Sequence, residues 1–169
     1  RLVRTIDGKG KSLVPGLWDA HRHAGSERAL IGNLATGITS YRSPGSSIED
    51  AQRLMAGHKG GTMLGGEGWF QAIVDKKDPL AAQGATTVSS AAEAVEAVRM
   101  IKAKGLWGVK FYTSMDPSWI APAAAEAKKL GLWVNGHVPA RMRPLEAVRA
   151  GYDELTHINF VVMQLMPQS

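Results

Sequence analysis

Short apolar runs alternate along the chain with longer amphipathic runs that are rich in alanine. The short runs contain β-branched and aromatic residues and predict strands at residues 13–19, 37–41, 69–74, 107–112, 132–136 and 152–157. The longer runs predict helices at residues 48–56, 91–104, 117–130 and 144–150. Strands and helices alternate without an internal sequence repeat, which is typical of a parallel sheet with crossover helices.

Capping residues set the expected helix boundaries. Ser46 or Ser47 is expected to cap the first helix, and Ser89 or Ser90 the second. Pro122 is expected to mark the first turn of the third helix. The segments predicted as connections are residues 57–68, which are rich in glycine, and residues 75–87.

The composition is that of an ordinary globular domain, because 44% of the 169 residues are hydrophobic and 21% are charged. The net charge of +5 comes from scattered basic residues and aromatic residues make up only 7%, so we expect no nucleic-acid partner. No apolar run reaches about 18 residues, so we expect no membrane-spanning helix. The chain has no cysteine, which leaves histidine, carboxylate or a modified side chain to hold any metal.

Four of the five histidines stand where predicted strands end. His21 and His23 follow the first strand, His137 follows the fifth and His157 ends the sixth. Residues two apart in a strand share a face, so His21 and His23 are expected to point the same way, as two ligands of one metal must. The four imidazoles converge only if their strands lie side by side in one sheet or barrel. We interpret His58, in the glycine-rich segment, as a solvated loop residue.

Lys110 lies inside an apolar strand, between Val109 and Phe111. A lysine in such a run usually extends to solvent or pairs with a carboxylate. Desolvation disfavours its charged form, and a neutral amine is able to add carbon dioxide to give a carbamate. Beside four strand-end histidines, we favour a carbamate on Lys110 that bridges two metal ions.

Five segments resemble, in order and spacing, motifs of the amidohydrolase superfamily, and the resemblance is closest to its imidazolonepropionase-like and prolidase-like branch. The segments are LVPGLWDAHRH (13–23), GITSYRSPG (37–45), GVKFYTS (108–114), NGHVPA (135–140) and ELTHINF (154–160). The resemblance implies an α/β fold, a (β/α)8 TIM barrel, of which this chain would hold roughly strands 1 to 6. Residues 1–12 would then be the remnant of a small β-sandwich, with a turn at residues 7–10, and residues 13–169 the partial barrel.

The resemblance also implies a metal centre with one or two divalent ions, often zinc, and a metal-activated water as the nucleophile. By resemblance, His21 and His23 bind the more buried ion, and His137 and His157 bind the more exposed ion. Lys110, if carboxylated, bridges the two ions. Lys110, His137 and His157 are therefore the catalytic candidates.

Two residues outside this set are candidates for contacting substrate. Tyr112 ends the lysine strand, and Arg42 follows the second strand, where its guanidinium would bind a substrate carboxylate. Arg22, between the two first histidines, is interpreted as structural because it lies on the opposite face.

The family places an aspartate at the end of the eighth strand, where it binds metal and shuttles a proton, and no residue here matches it. Asp116 and Asp153 are carboxylates at other positions, for which we expect surface roles. A full barrel needs about 250 residues. Since the chain is shorter and starts at Arg1, we expect a fragment, or a chain whose barrel another copy or chain completes. We expect it to bind metal more readily than it turns over substrate.

The predicted function is metal-dependent hydrolysis of a C–N bond in a small-molecule amide, cyclic amide or peptide. Ester or phosphoester hydrolysis is the alternative on the same barrel, since the metal centre would look alike. A non-catalytic metal-binding or assembly module is a further alternative. So is a metal-free barrel fragment whose histidines only pack, because a single strand-end histidine serves more often as a core or capping residue than as a ligand.

Overall fold

The computed structural model describes residues 4–163 as seven strands and six helices. The strands are β1 (Leu17–Asp19), β2 (Ile38–Ser46), β3 (Glu67–Lys76), β4 (Thr86–Val88), β5 (Gly108–Phe111), β6 (Trp133–Gly136) and β7 (Glu154–Leu155). The helices are α1 (Glu27–Ala35), α2 (Ile48–Lys59), α3 (Ala91–Ala103), α4 (Pro117–Lys129), α5 (Pro144–Arg149) and α6 (Ile158–Met163). Six of the strands and four of the helices overlap predicted segments, whereas β4, α1 and α6 were not predicted, and β4 begins inside the segment 75–87 that was predicted as a connection.

The strands form one parallel sheet in the order β1-β2-β3-β5-β6-β7. The short strand β4 pairs with the last three residues of β3, of which the first, Val74, also pairs with β5. The sheet is a half-barrel with alternating helices, as expected for part of a (β/α)8 barrel. Because all pairs are parallel, the carboxyl ends of the strands meet at one edge, where the predicted site residues lie.

The hydrophobic core lies between the sheet and its helices. Its fully buried members include Val109, Phe111 and Val134 from the strands, and Val98, Ile101, Ile120, Ala124 and Ala127 from the helices. Side chains alternate along a strand, so Lys110, between two residues that face the helices, faces the inside of the half-barrel. The same alternation places Arg42, next to the core residue Tyr41, on the inner face of β2.

The helix caps follow the sequence closely. Ser47 caps α2, and its Oγ accepts a hydrogen bond from Asp50 N at 3.1 Å. Ser90 caps α3 in the same way, with Glu93 N as the donor at 3.1 Å. Each of the two predictions named a pair of adjacent serines, and the structure selects the second of each pair.

Several element boundaries differ from the prediction. Strand β2 continues through Arg42 to Ser46, and β3 starts earlier than predicted, at Glu67, because the two strands pair with each other over these residues. At its other end β3 extends to Lys76, because Asp75 and Lys76 pair with β4. Helix α2 continues to Lys59, so His58 is exposed as expected but lies on a helix rather than in a loop. Pro122 lies inside α4, whose first turn holds Pro117, so the prediction that Pro122 marks the first turn is wrong.

The amino-terminal residues that are described form a turn but no strand before Leu17. Asp7 accepts from Lys9 N at 2.9 Å, and Gly8 O accepts from Lys11 N at 2.9 Å, which confirms the predicted turn. Residues 4–12 form no strand, and residues 1–3 lie outside the described residues, so the assignment of residues 1–12 to a β-sandwich remnant stays a prediction. In residues 4–163, no helix combines the length and apolar character needed to cross a membrane.

Candidate functional site

Four imidazoles from three strand ends form a continuous cluster. His21 and His23 follow β1, His137 follows β6 and His157 follows β7. Ring centroids lie 5.1 Å apart for His21–His23, 5.1 Å for His21–His157 and 5.0 Å for His137–His157. The structure thus brings together all four histidines that the sequence singled out.

The backbone around two of these rings orients their nitrogens. His23 Nδ1 lies 3.0 Å from Gly45 O, and since a carbonyl only accepts, Nδ1 carries the proton there. His23 Nε2 is then left with a lone pair. His137 Nδ1 lies 2.8 Å from Thr113 Oγ1, in the loop after β5. Such contacts to the second ring nitrogen fix ring orientation in metal sites.

His157 adopts a left-handed backbone conformation with φ 71°. Residues with a Cβ avoid this region, and strained backbone conformations of this kind cluster at functional sites. Thr156 N donates to Gly136 O at 2.9 Å, immediately before this residue. The chain therefore turns abruptly at His157, beside His137.

Lys110 is almost completely buried, with 1% of its surface exposed. Burial, and then the positive charge of Arg42, lowers the pKa of Lys110 to about 8, although Glu154 acts in the opposite direction. Gly45 leaves the space through which this side chain passes. A Cβ at Gly45 would lie 3.2 Å from Lys110 Cδ and 3.2 Å from His23 Cε1.

His21 and His137 are neutral at neutral pH. Burial, and next the charge of Lys110, lowers the pKa of both His21 and His137 to about 4. The pKa of His157 is lowered by the same two causes in the same order. Neutral imidazole is the form that ligates metals.

The other predicted site residues have different surroundings. Tyr112 packs against His137 with ring centroids 4.0 Å apart and the ring planes tilted by 33°, which places it at the edge of the cluster. Arg42 is engaged within the chain: its Nη2 donates to Glu154 Oε1 at 2.8 Å, its Nη1 bonds Glu154 Oε2, and its Nε donates to Ala20 O at 2.8 Å. This engagement argues against Arg42 as a free carboxylate binder, and a substrate role for either residue stays a prediction.

The two alternative carboxylates serve local structure. Asp116 caps α4 by accepting from Ser118 N at 2.9 Å. Asp153 accepts from Val134 N at 2.8 Å and pairs with Lys128. Arg22 donates through Nη2 to Ala29 O at 3.3 Å, in keeping with its structural interpretation.

Two clefts flank the histidine cluster. One, of about 500 Å³, is lined by His23, Gly45, Ser46 and the loop at Gln83 and Gly84. The other, of about 340 Å³, is lined by Thr113, residues 138–144 and Phe160. A third cavity, of about 300 Å³, lies at the opposite, amino-terminal ends of the strands and is remote from the histidines.

Imidazole is a donor that zinc accepts, although within residues 4–163 no three His, Asp or Glu side chains stand at the mutual spacing of a formed metal site. The Nε2 atoms of His21 and His23 lie 3.3 Å apart. Two nitrogens about 2.05 Å from a tetrahedral zinc ion are about 3.3 Å apart. One ligand pair therefore has the required separation, and two further neutral imidazoles adjoin it.

Neither a protein-family model nor a curated protein matches the chain. Solved structures do match. Bottromycin amidohydrolase is 30% identical with a TM-score of 0.69, over 81% of this chain and 31% of that one. A Xaa-Pro dipeptidase with methionine bound in its active site is 19% identical with a TM-score of 0.65, over 89% of this chain and 51% of that one. The ochratoxinase of A. niger is 18% identical with a TM-score of 0.66, over 89% and 50%.

The chain has the fold of an amidohydrolase barrel. It spans about a third to a half of the length of these amidohydrolase structures. The resemblance noted in the five sequence segments is thereby confirmed at the level of superfamily and fold.

Three residues of this candidate site were not singled out from the sequence. Gly45 supplies the carbonyl that orients His23, Thr113 contacts His137, and Glu154 pairs with Arg42. All three lie inside the segments that resemble family motifs. Their roles depend on contacts between distant segments, which the local pattern does not reveal.

Proposed function

We propose that this chain carries the metal-binding part of a hydrolase active site that cleaves C–N bonds in small amides or peptides. The observation that supports this most strongly is the convergence of four imidazoles at the carboxyl ends of β1, β6 and β7. The similarity to bottromycin amidohydrolase, at 30% identity, supports an amide as the substrate.

In this proposal His21 and His23 hold one divalent ion, and His137 and His157 hold a second ion or complete the coordination of the first. A divalent ion bound there would lower the pKa of a water molecule and polarise the scissile carbonyl. The chain's own contribution is to keep two of these imidazoles neutral and to orient two of them. Burial lowers the pKa of His21 and His137 to about 4, which keeps both neutral. The contacts of His23 with Gly45 and of His137 with Thr113 orient those two rings.

Lys110 is proposed to carry a carbamate. Its lowered pKa, about 8, gives an appreciable neutral fraction near neutral pH. Loss of one proton to water gives the neutral Nζ, which adds to the carbon of carbon dioxide. A C–N bond forms, one C=O π bond opens to a carboxylate and a second proton leaves to water, so the buried cation becomes an anion. That anion would suit a pair of divalent ions better than a lysine ammonium does.

The substrate is proposed to enter along the cleft of about 500 Å³ beside His23. A volume of this size accommodates a small molecule. Tyr112, packed against His137, lies on the other side of the cluster and is the candidate for contacting the leaving group.

The decisive experiment is zinc content per chain, measured by elemental analysis on protein purified without chelators. We expect one or two zinc ions per chain in the wild type, and a lower zinc content in His21→Ala and His157→Ala. His58→Ala is the matched control because His58 is exposed on α2, and it should keep the wild-type zinc content.

The same protein preparation is used to measure the number of bound ions and to test which class of bond is cleaved. Two ions with label from isotopic bicarbonate on Lys110 would support the bridged site, whereas one ion without label would limit the site to the histidines. Absence of zinc after zinc is added, or equal loss in His58→Ala, would contradict the proposal. Cleavage of ester probes without any cleavage of amide or dipeptide probes would contradict the C–N assignment.

A further inference from the structure

The ion pair between Arg42 and Glu154 crosses the inside of the half-barrel. Both residues lie on the inner face of the sheet, since their neighbours Tyr41 and Leu155 pack into the helix-facing core. Arg42 Nη2 donates to Glu154 Oε1 at 2.8 Å, and Nη1 bonds the other carboxylate oxygen, so the contact is bidentate. The two side chains are only 14% and 29% exposed. A bidentate, partly buried pair of this kind is geometrically specific.

This pair joins strands that are not neighbours. Strands β3, β5 and β6 lie between β2 and β7 in the sheet order. No other ion pair in the described part of the chain connects β1 or β2 with β7. Backbone pairing sets the spacing of adjacent strands but not the distance across the curved sheet, which leaves that distance to contacts such as this one.

The same arginine also holds the segment that carries the first two histidines. Its Nε donates to Ala20 O at 2.8 Å, next to His21, and Arg42 O accepts from Arg22 N at 2.9 Å. On the other side, Glu154 lies three residues before His157 in the same short segment. One side-chain contact therefore links the histidines after β1 to the histidine after β7.

The curvature of the sheet decides whether these histidines meet. Strands β1 and β7 stand at the two ends of the sheet order. In a flat sheet, five strand spacings would separate them by about 24 Å. The rings of His21 and His157 lie 5.1 Å apart, so the sheet must be held strongly curved for the cluster to form.

We propose that Arg42 and Glu154 are positioning residues: their ion pair holds the two ends of the half-barrel together and so keeps His21 and His23 within reach of His137 and His157. The inference rests on the proposed function in treating the four histidines as one metal-binding cluster. Neither residue is required to touch the metal or the substrate.

The test compares zinc affinity, measured by competition with a chromophoric chelator, in three variants. Glu154→Gln keeps the shape of the side chain but removes its charge, and Arg42→Lys keeps the charge but loses the planar fork and the Nε contact. Arg99→Gln is the matched control, because it breaks the Arg99–Glu126 ion pair between α3 and α4, away from the site. We expect Glu154→Gln to weaken zinc binding about 10- to 100-fold. Arg42→Lys should weaken it less, and Arg99→Gln not at all.

A second readout does not require metal. The chain has no cysteine, so Arg28→Cys on α1 and Arg149→Cys on α5 provide two unique, exposed sites for spin labels. In metal-free protein we expect Glu154→Gln to lengthen or broaden the distance distribution between these labels. Arg99→Gln should leave it as in the wild type. Circular dichroism checks that each variant keeps its helices.

The outcomes separate this inference from the proposed function. Loss of zinc affinity together with an altered label distance in Glu154→Gln, with neither effect in Arg99→Gln, supports the positioning pair. Unchanged affinity overturns it, and so does reduced affinity with an unchanged distance, because Glu154 would then act on the ion directly. If the wild type binds no zinc, the proposed function fails, and an unchanged label distance would also overturn the positioning pair.

Discussion

At the scale of single residues, the site depends on a glycine, Gly45, whose lack of a side chain leaves room for its neighbours. Gly45 lies at the end of β2, where its carbonyl accepts from His23 Nδ1 at 3.0 Å. A Cβ there would lie 3.2 Å from His23 Cε1, 3.2 Å from Lys110 Cδ and 3.3 Å from Ile73 Cγ1. Three groups would each have to move by a few tenths of an ångström, and two of them belong to the candidate metal site.

We therefore predict that Gly45→Ala weakens zinc binding several-fold while the chain stays folded. Chelator competition measures the affinity, and urea denaturation measures the stability. Gly32→Ala is the control, because Gly32 lies on α1 with open space around its Cα. If Gly45→Ala binds zinc as tightly as the wild type, the close packing at this position does not affect zinc binding.

The backbone at His157 is a second residue-scale feature, since its φ of 71° suits glycine better than a residue with a Cβ. We predict that His157→Gly is more stable than His157→Ala by about 1 kcal/mol, because both lack the imidazole and only alanine retains the left-handed strain. Chemical denaturation of the metal-free proteins checks this. If His157→Ala is as stable as His157→Gly, the left-handed backbone conformation at this position does not destabilise the chain.

At the scale of elements, the sequence predicted the helices and strands whose capping residues and apolar positions lie within the element itself. Helix α3 was predicted well, because Ser90 caps it and its apolar residues fall on one face. Helix α1 was not predicted, since it buries only Leu30 and Asn33 and so lacks an apolar stripe. The segment from Arg42 to Ser46 contains serine, proline and glycine, which strands disfavour. It is extended because β3 supplies its pairing partners, and that information lies elsewhere in the chain.

Helix α4 offers a test of how tightly the helix layer packs. Ala124 is fully buried, and a Cβ at Gly151 would lie 3.1 Å from it, whereas Ala125 on the same helix is exposed. We predict that Ala124→Leu destabilises the chain by about 1–3 kcal/mol through overpacking. Ala125→Leu should change stability by less than about 0.5 kcal/mol. Both unfolding curves come from urea titration, and equal effects at the two positions would contradict the packing described here.

At the scale of the whole molecule, the four histidines could be named from the sequence, but their convergence could not be derived from it. The sequence argument required the strands to lie side by side. In the structure, β1 is remote from β6 and β7 in the sheet order, and curvature brings their ends together. Periodicity does not report curvature, nor does it report the Arg42–Glu154 contact across the interior. The family resemblance supplied the barrel, and with it the expectation of a shared site.

This arrangement predicts a strong coupling between metal and stability. The proposed ligands come from both ends of the sheet, so an ion held by His21, His23, His137 and His157 would tie β1 to β6 and β7. A ligand that binds only the folded state stabilises it by about 2.7 kcal/mol at a free concentration 100 times its Kd. For a domain of this size, that raises the Tm by about 5–11 °C. Thermal unfolding with added zinc, and again with excess chelator, measures the shift.

Two controls make this last prediction specific. His58→Ala should show the full shift, because the exposed His58 is on α2, away from the cluster. His21→Ala should lose most of the shift, since His21 contacts both His23 and His157 and so joins the two sides. If zinc raises the Tm equally in both variants, it binds elsewhere on the chain. If it raises the Tm of neither variant nor of the wild type, the imidazoles converge without holding an ion, and they contribute only packing between the ends of the half-barrel.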